Sequence, residues 1–133
     1  MRAQEGYSGT PLLQKIGYKP GKISYVDKVA PYYTQVCDDI TLGAAEPYDF
    51  IHIFVRNHDE LVRSSGQALP LLAKTGKLWV SWPKRSAEVA TDLTGNTVRE
   101  YMLTTGLVDV KVAAIDSTWS GLQFVYRMKD RQH

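Results

Sequence analysis

The segment DFIHIFV (residues 49–55) is almost continuously apolar, which is typical of a β-strand covered on both faces. Three other segments alternate apolar and polar residues or are rich in β-branched and aromatic residues, as strands are. They are KISYVD (22–27), KLWVSW (77–82) and VDVKVAAID (108–116). The sequence therefore predicts a sheet in which residues 49–55 form a central strand.

Helical patterns separate these strands. Apolar residues fall at helical spacing over 59–73, where Pro70 is expected to kink the helix. A second helix is predicted from Asn96 or Thr97 to Thr105, with Gly106 as its stop. Strands that alternate with helices favour a parallel sheet with helices on both faces.

The chain is predicted to end in a hairpin. A short turn at 117–121 precedes a last apolar segment, LQFVYRM (122–128), which must run antiparallel to the strand before it. The fold class is therefore α/β: a single-domain, mostly parallel Rossmann-like sheet with an antiparallel C-terminal strand. As the last strand, 122–128 is also expected to be a sheet edge, and edges favour pairing with a second copy.

Length and composition fit one domain. The chain has 133 residues, of which 44% are hydrophobic and 23% are charged, as in ordinary globular proteins. Residues 1–6 are predicted to be a flexible polar tail and residues 7–133 the α/β domain. Short helices at 11–16 and 31–37 and a short strand at 40–44 complete the expected elements.

The net charge of +2, with no basic run, argues against binding to nucleic acid or to a membrane surface. Cys37 is the single cysteine, so the monomer cannot form a disulfide framework. The N-terminus lacks the apolar core of a signal peptide, and no apolar run is long enough to span a bilayer. A cytoplasmic location is the expectation.

Three motifs carry a resemblance to a known family. They are YSGTPL (7–12), LWVSWPK (78–84) and TWSGL (118–122), and they are similar to motifs of a bacterial family known as a domain of unknown function. That resemblance implies a fold and no particular activity. The element order from residue 49 to the final hairpin resembles a shortened class I methyltransferase fold.

The resemblance to class I methyltransferases implies S-adenosylmethionine as a cofactor, but the expected cofactor turn is missing. That fold uses a glycine-rich turn after its first strand because only a bare backbone approaches the ligand closely. Here residues 27–31 (DKVAP) contain no glycine, so no cofactor is expected. Two functions stay open: a non-catalytic binding or regulatory module, and a small-molecule methyltransferase with an unusual site. A third is an interaction protein that uses a sheet edge or the exposed face of the first helix to dimerise or to dock on a partner.

The candidate site follows from the fold. Ligands of open parallel sheets bind outside the carboxyl ends of the strands. The residues predicted to gather there are Arg56, Trp82, Lys84, Asp116, Trp119 and Ser120. Two cations and an apolar wall suit a small anionic ligand. The alternative is that the charged side chains lie at strand ends only because those ends meet water, and that the tryptophans pack back on the fold.

Other polar residues have structural interpretations. His52 is expected to be a hydrogen-bonded core histidine and His58 to mark a helix N-terminus. Two histidines six residues apart are poor metal ligands, so no metal site is predicted. The polar connection at 84–95 is long enough to be a lid, and Asp92 or Thr94 is expected to cap the next helix.

Overall fold

The computed structural model describes residues 24–26, 47–87 and 89–130. A five-stranded sheet organises them, with strand order β1-β2-β3-β5-β4. The strands are β1 (Ser24–Val26), β2 (Tyr48–Phe54), β3 (Leu72–Pro83), β4 (Leu107–Ala114) and β5 (Trp119–Tyr126). The α-helices are α1 (His58–Ala68) and α2 (Gly95–Leu103), and 3-10 turns occupy Leu69–Leu71, Arg85–Ala87 and Met128–Asp130.

The sheet is mixed rather than wholly parallel. The β1–β2 and β2–β3 pairings are parallel, whereas β5 is antiparallel to both β3 and β4. Strands β1 to β4 consequently run in one direction, and only β5 runs against them. This confirms the α/β class and the reversed last strand, but β5 lies between β3 and β4 instead of at the edge.

Both described α-helices pack on one face of the sheet. Leu61 of α1 and Met102 of α2 belong to the same buried cluster as Ile53, Val80 and Phe124. The opposite face of the central strands is also buried, since Phe50, His52, Trp79 and Ser81 are at most 2% exposed. The side chains of β2 are therefore buried on both faces of the sheet, as its continuous apolar sequence predicts.

The predicted C-terminal end of the helix at 59–73 is wrong. The helix was expected to continue to Ala73 with a kink at Pro70, but α1 ends at Ala68 and Pro70 lies in a 3-10 turn. Residues 72–76 instead begin β3, where Leu72 pairs with Tyr48. A Cβ on Gly76 would lie 2.9 Å from the Tyr48 carbonyl oxygen, so glycine permits this close approach of β3 to β2.

The predicted boundary of the final hairpin is also wrong. Residues 117–121 were expected to form the turn, but β5 already begins at Trp119. The carboxylate of Asp116 explains the earlier start, because it accepts the backbone N–H groups of Thr118 and Trp119, both at 2.8 Å. This Asx-type turn reverses the chain within residues 115–118.

Several predictions fall outside the described residues: the tail at 1–6, the helices at 11–16 and 31–37, the strand at 40–44, Cys37 and the turn at 27–31. Helices on the second face of the sheet are untested for the same reason. Neither α1 nor α2 has the length and apolar character needed to cross a membrane.

Candidate functional site

The carboxyl ends of β2, β3 and β4 meet at one end of the sheet, beside the start of β5. Backbone hydrogen bonds hold these ends together. The N–H of Val55 donates to the Ser81 carbonyl (2.9 Å), and the N–H of Lys84 donates to the Thr118 carbonyl (2.7 Å). The second bond ties the first residue after β3 to the turn before β5.

An open cleft with a volume of about 510 Å³ lies at this end of the sheet. Its walls come from the end of β3, the start of β5, the connection after β3 and the first residue of α2. The lining residues are Trp82, Pro83, Lys84, Arg85, Val89, Thr91, Asp92, Leu93, Thr94, Gly95 and Ser120. The size falls within the range of small-molecule sites.

The N-terminus of α2 forms one wall of this cleft. Thr94 caps the helix, because its hydroxyl accepts the N–H of Thr97 (3.2 Å) while the Thr97 hydroxyl accepts the N–H of Thr94 (2.8 Å). A Cβ built on Gly95, the first helical residue, would lie 3.5 Å from Cζ2 of Trp82. The helix N-terminus therefore lies against the Trp82 ring.

The connection between β3 and α2 is anchored at two points. Leu93 is only 4% exposed and packs in the core. Asp92 accepts the backbone N–H of His58, the first residue of α1, at 2.9 Å. Of the two residues predicted to cap α2, Thr94 is the one that does so. Asp92 instead accepts a hydrogen bond from the first backbone N–H of α1. His58 marks a helix N-terminus, as predicted.

Three of the six predicted site residues line the cleft. Trp82 and Ser120 are paired across β3 and β5, and Lys84 follows two residues after Trp82. Asp116 and Trp119 do not line it. Asp116 closes the turn described above, and the Trp119 ring packs edge-on against Phe54 with the centroids 5.0 Å apart.

Arg56 also lies outside the cleft lining. Its guanidinium donates to the carboxylate of Glu60, with Nη2 at 2.9 Å from Oε2. Arg56 is exposed and precedes α1, and Glu60 lies in the first turn of that helix. The hydrogen bond and the opposite charge raise the pKa of Arg56 and lower the pKa of Glu60. Arg56 and Lys84 therefore do not line the same cleft in this structure, and binding of an anion by both cations stays a prediction.

The cleft lining has an excess of positive charge. Lys84 and Arg85 form no ion pair within the described part of the chain, where the ion pairs are Arg56–Glu60 and Arg99–Asp109. Among the described residues of the lining, the one carboxylate belongs to Asp92, which is bonded to the α1 N-terminus. The electrostatics of the described lining favour an anion.

His52 is a core histidine, as predicted. It is fully buried, its Nε2 lies 2.7 Å from Oγ of Ser81, and its ring stacks on Phe54 with the centroids 4.3 Å apart. Burial lowers the pKa of His52 to about 3, so the imidazole is neutral at physiological pH. The His52 and Ser81 side chains are buried on the sheet face opposite α1 and α2, and they do not line the cleft.

Sequence reasoning missed most of the apolar and hydroxyl lining. Val89, Thr91 and Leu93 lie in a connection with no regular pattern. The sequence signal that places Thr94 on this cleft is its spacing of three residues from Thr97. A hydroxyl at the N-cap bonds the backbone N–H three residues later, so this spacing marks a helix start. Among the described residues, no group of histidine, cysteine and acidic side chains is arranged to hold a metal.

Sequence comparison identifies no matching family model and no matching curated protein. Among solved structures, the chain is similar to LepI in complex with SAM, at 12% identity and a TM-score of 0.50, over 92% of this chain and 40% of LepI. A pericyclic reaction enzyme is 14% identical with a TM-score of 0.47, over 92% of this chain and 40% of that chain. Fibrillarin in a fibrillarin/Nop5p complex is 13% identical with a TM-score of 0.45, over 64% of this chain and 43% of that chain.

The likeness to LepI supports an α/β fold shared with that protein. At this identity it shows the fold alone. The chain spans 40% of the length of LepI.

Proposed function

We propose that this domain is a small-molecule binding module that takes an anionic ligand in the cleft at the carboxyl end of β3. The observation that carries the proposal is the position of two cations, Lys84 and Arg85, on that cleft with no ion-pair partner in the described chain. The carboxyl edge of a parallel sheet is where such folds bind ligands.

The rest of the lining supports a ligand with an apolar part. Leu93 and the Trp82 ring provide apolar surface, and the hydroxyls of Thr91 and Ser120 can donate or accept hydrogen bonds. The described lining is thus both polar and apolar, and suits a ligand that has a charged group and an apolar part.

Binding without catalysis is favoured by the chemistry of the described lining. It contains no histidine and no cysteine, the side chains that most often act as general base or nucleophile near neutral pH. Its carboxylate, on Asp92, holds the N-terminus of α1. The described cleft is therefore better suited to hold a ligand than to transform it.

The test combines native mass spectrometry with calorimetry. Protein purified from its own source is expected to carry a small anionic molecule, and the recombinant protein is expected to bind phenyl phosphate or phenylacetate. A Lys84→Ala/Arg85→Ala variant should lose about tenfold or more in affinity, since charge-assisted hydrogen bonds are the strong ones. Arg63→Ala, which removes an exposed cation from α1, is the matched control and should bind normally.

Unchanged affinity in the double variant, or no binding of either probe together with no co-purified ligand, would overturn this proposal. The control variant separates the two cations of the cleft from a general effect of net charge.

A methyltransferase that uses S-adenosylmethionine is the second candidate function. It is favoured by the structural likeness to LepI, which was solved with SAM. The cofactor turn that this function needs would involve residues 27–31, which contain no glycine. Calorimetry with S-adenosylmethionine and S-adenosylhomocysteine tests it: micromolar binding supports the methyltransferase, and no heat and no thermal shift with either compound removes it.

A further inference from the structure

The indole N–H of Trp82 has no acceptor within the described part of the chain. Trp82 is only 7% exposed and packs in the core cluster, yet it also lines the cleft. Buried tryptophan N–H groups usually find a hydrogen-bond partner, because leaving one unpaired costs free energy. The cleft is the open space beside this ring.

The six-membered ring of Trp82 lies against the N-terminus of α2. Cζ2, which is two bonds from Nε1, lies 3.5 Å from the position of a Cβ on Gly95, and Cη2 lies at 4.0 Å. The backbone N–H groups of Gly95 and Asn96 have no acceptor among the described residues, whereas those of Thr97 and Val98 donate to Thr94. The indole ring of Trp82 therefore lies beside the helix turn that carries these two first-turn donors.

The start of α2 adds positive potential to this side of the cleft. A helix N-terminus carries a partial positive charge and binds anions through its free N–H groups. Lys84 follows Trp82 by two residues at the end of the same strand and also lines the cleft. Because residue 95 is a glycine, no side chain at this position blocks a ligand from reaching the first-turn N–H groups of α2.

We propose that the cleft binds an oxyanion, a carboxylate or a phosphate, which accepts hydrogen bonds from Nε1 of Trp82 and from the first-turn N–H groups of α2, with Lys84 supplying the counter-charge. The proposal rests on the proposed function and specifies it: the anionic head lies at the start of α2, and the apolar remainder lies toward Leu93. Trp82 would then act as a binding residue as well as a core residue.

The first test is an NMR titration of the ¹⁵N-labelled protein. The three tryptophans give three indole N–H signals, which are assigned with single Trp→Phe variants. On addition of phenyl phosphate or phenylacetate, the signals of Trp82 Nε1, Gly95 N–H and Asn96 N–H are expected to shift, and that of Trp79 is expected to stay. Benzyl alcohol, which has the ring but no oxyanion, should leave the three site signals unmoved. The phosphate and the carboxylate arms show which head group is preferred.

The second test is the affinity of Trp82→Phe, which keeps an aromatic ring and removes the N–H. We expect about a tenfold or greater loss of affinity for the better probe, as for a hydrogen bond to a charged group. Trp119→Phe makes the same chemical change outside the cleft and should bind within about twofold of the wild type. If Trp82→Phe does not fold, the titration of the wild-type protein decides alone.

The failure of this inference differs from the failure of the proposed function. If the wild type binds a probe and Lys84→Ala/Arg85→Ala weakens it, but Trp82 Nε1 does not shift and Trp82→Phe binds normally, only the oxyanion site is overturned. If the wild type binds neither probe and carries no co-purified ligand, both proposals are overturned.

Discussion

Gly121 of β5 lies close to Ser81, the residue that is hydrogen-bonded to the buried His52. A Cβ at this position would lie 3.0 Å from Cδ1 of Ile115 and 3.1 Å from Oγ of Ser81. The Ile115 methyl can move, but the Ser81 hydroxyl is held by its 2.7 Å hydrogen bond to His52. The glycine therefore keeps a buried polar pair intact.

Gly121→Ala is expected to lower the free energy of unfolding by about 1–3 kcal/mol, the usual cost of overpacking a core. Urea unfolding monitored by tryptophan fluorescence measures it. Gly66→Ala is the matched control, because a Cβ on Gly66 meets nothing within 4 Å and alanine favours the α1 helix. That variant should be unchanged or more stable by up to about 1 kcal/mol. Equal stability of the two variants would contradict this account.

His52 should make the protein less stable in acid. Its pKa is lowered from 6.5 to about 3 by burial, so between these values the unfolded chain binds a proton that the folded chain does not. The free energy of unfolding is therefore unaffected above pH 6.5 and falls as the pH falls toward 3, by at most about 1.4 kcal/mol per unit.

Urea unfolding of the wild type and of His52→Gln at several pH values between 6.5 and 4 tests this effect. The variant should show the shallower pH dependence, while His58→Gln, at an exposed position, should retain the wild-type slope. A wild-type slope in His52→Gln would mean that other groups cause the acid sensitivity.

Individual site residues were only partly predictable, because partners elsewhere in the chain decide how a side chain is used. The strand-end rule placed Trp82, Lys84 and Ser120 on the cleft. It also selected Arg56, but that side chain pairs with Glu60, and the spacing of four residues across a helix start was visible in the sequence. The role of Asp92 was not visible, since its partner, the N–H of His58, is 34 residues away.

At the scale of elements, α2 depends on its N-terminal cap. The reciprocal bonds between Thr94 and Thr97 satisfy donors that the helix itself cannot. Thr94→Ala is expected to lose about 1 kcal/mol of stability, whereas Thr94→Ser keeps the hydroxyl and should lose much less. Thermal unfolding compares them, and similar losses in both variants would show that the methyl group rather than the cap matters.

The boundaries of elements were less predictable than their existence. The apolar periodicity correctly indicated β2, α1, α2 and β4, because burial on one or both faces determines it. The start of β3 was assigned to a helix, since residues 72–76 have no strand pattern of their own and only Leu72 among them pairs with β2. The position of β5 within the sheet depends on pairing with β3 as well as β4, a long-range contact that no local pattern encodes.

At the scale of the whole molecule, β3 is the centre of the described sheet. Residues 78–81 pair with β2 on one side and β5 on the other, and their side chains are fully buried. β4 pairs only with β5 among the described strands, and Val110 and Val112 on it are 52% and 70% exposed. The stable core and the open edge are thus at different places in the sheet.

Native-state hydrogen exchange should reproduce this arrangement. The amides of residues 78–81 in β3 and 122–124 in β5 are expected to exchange only through global unfolding, with the free energy measured by urea. The amides of residues 89–92, which have little backbone hydrogen bonding, and the β4 amides that point away from β5 should exchange much faster. If the β4 amides instead become protected as protein concentration rises, the edge pairs with a second copy, and the dimer expected of the last strand would belong to β4.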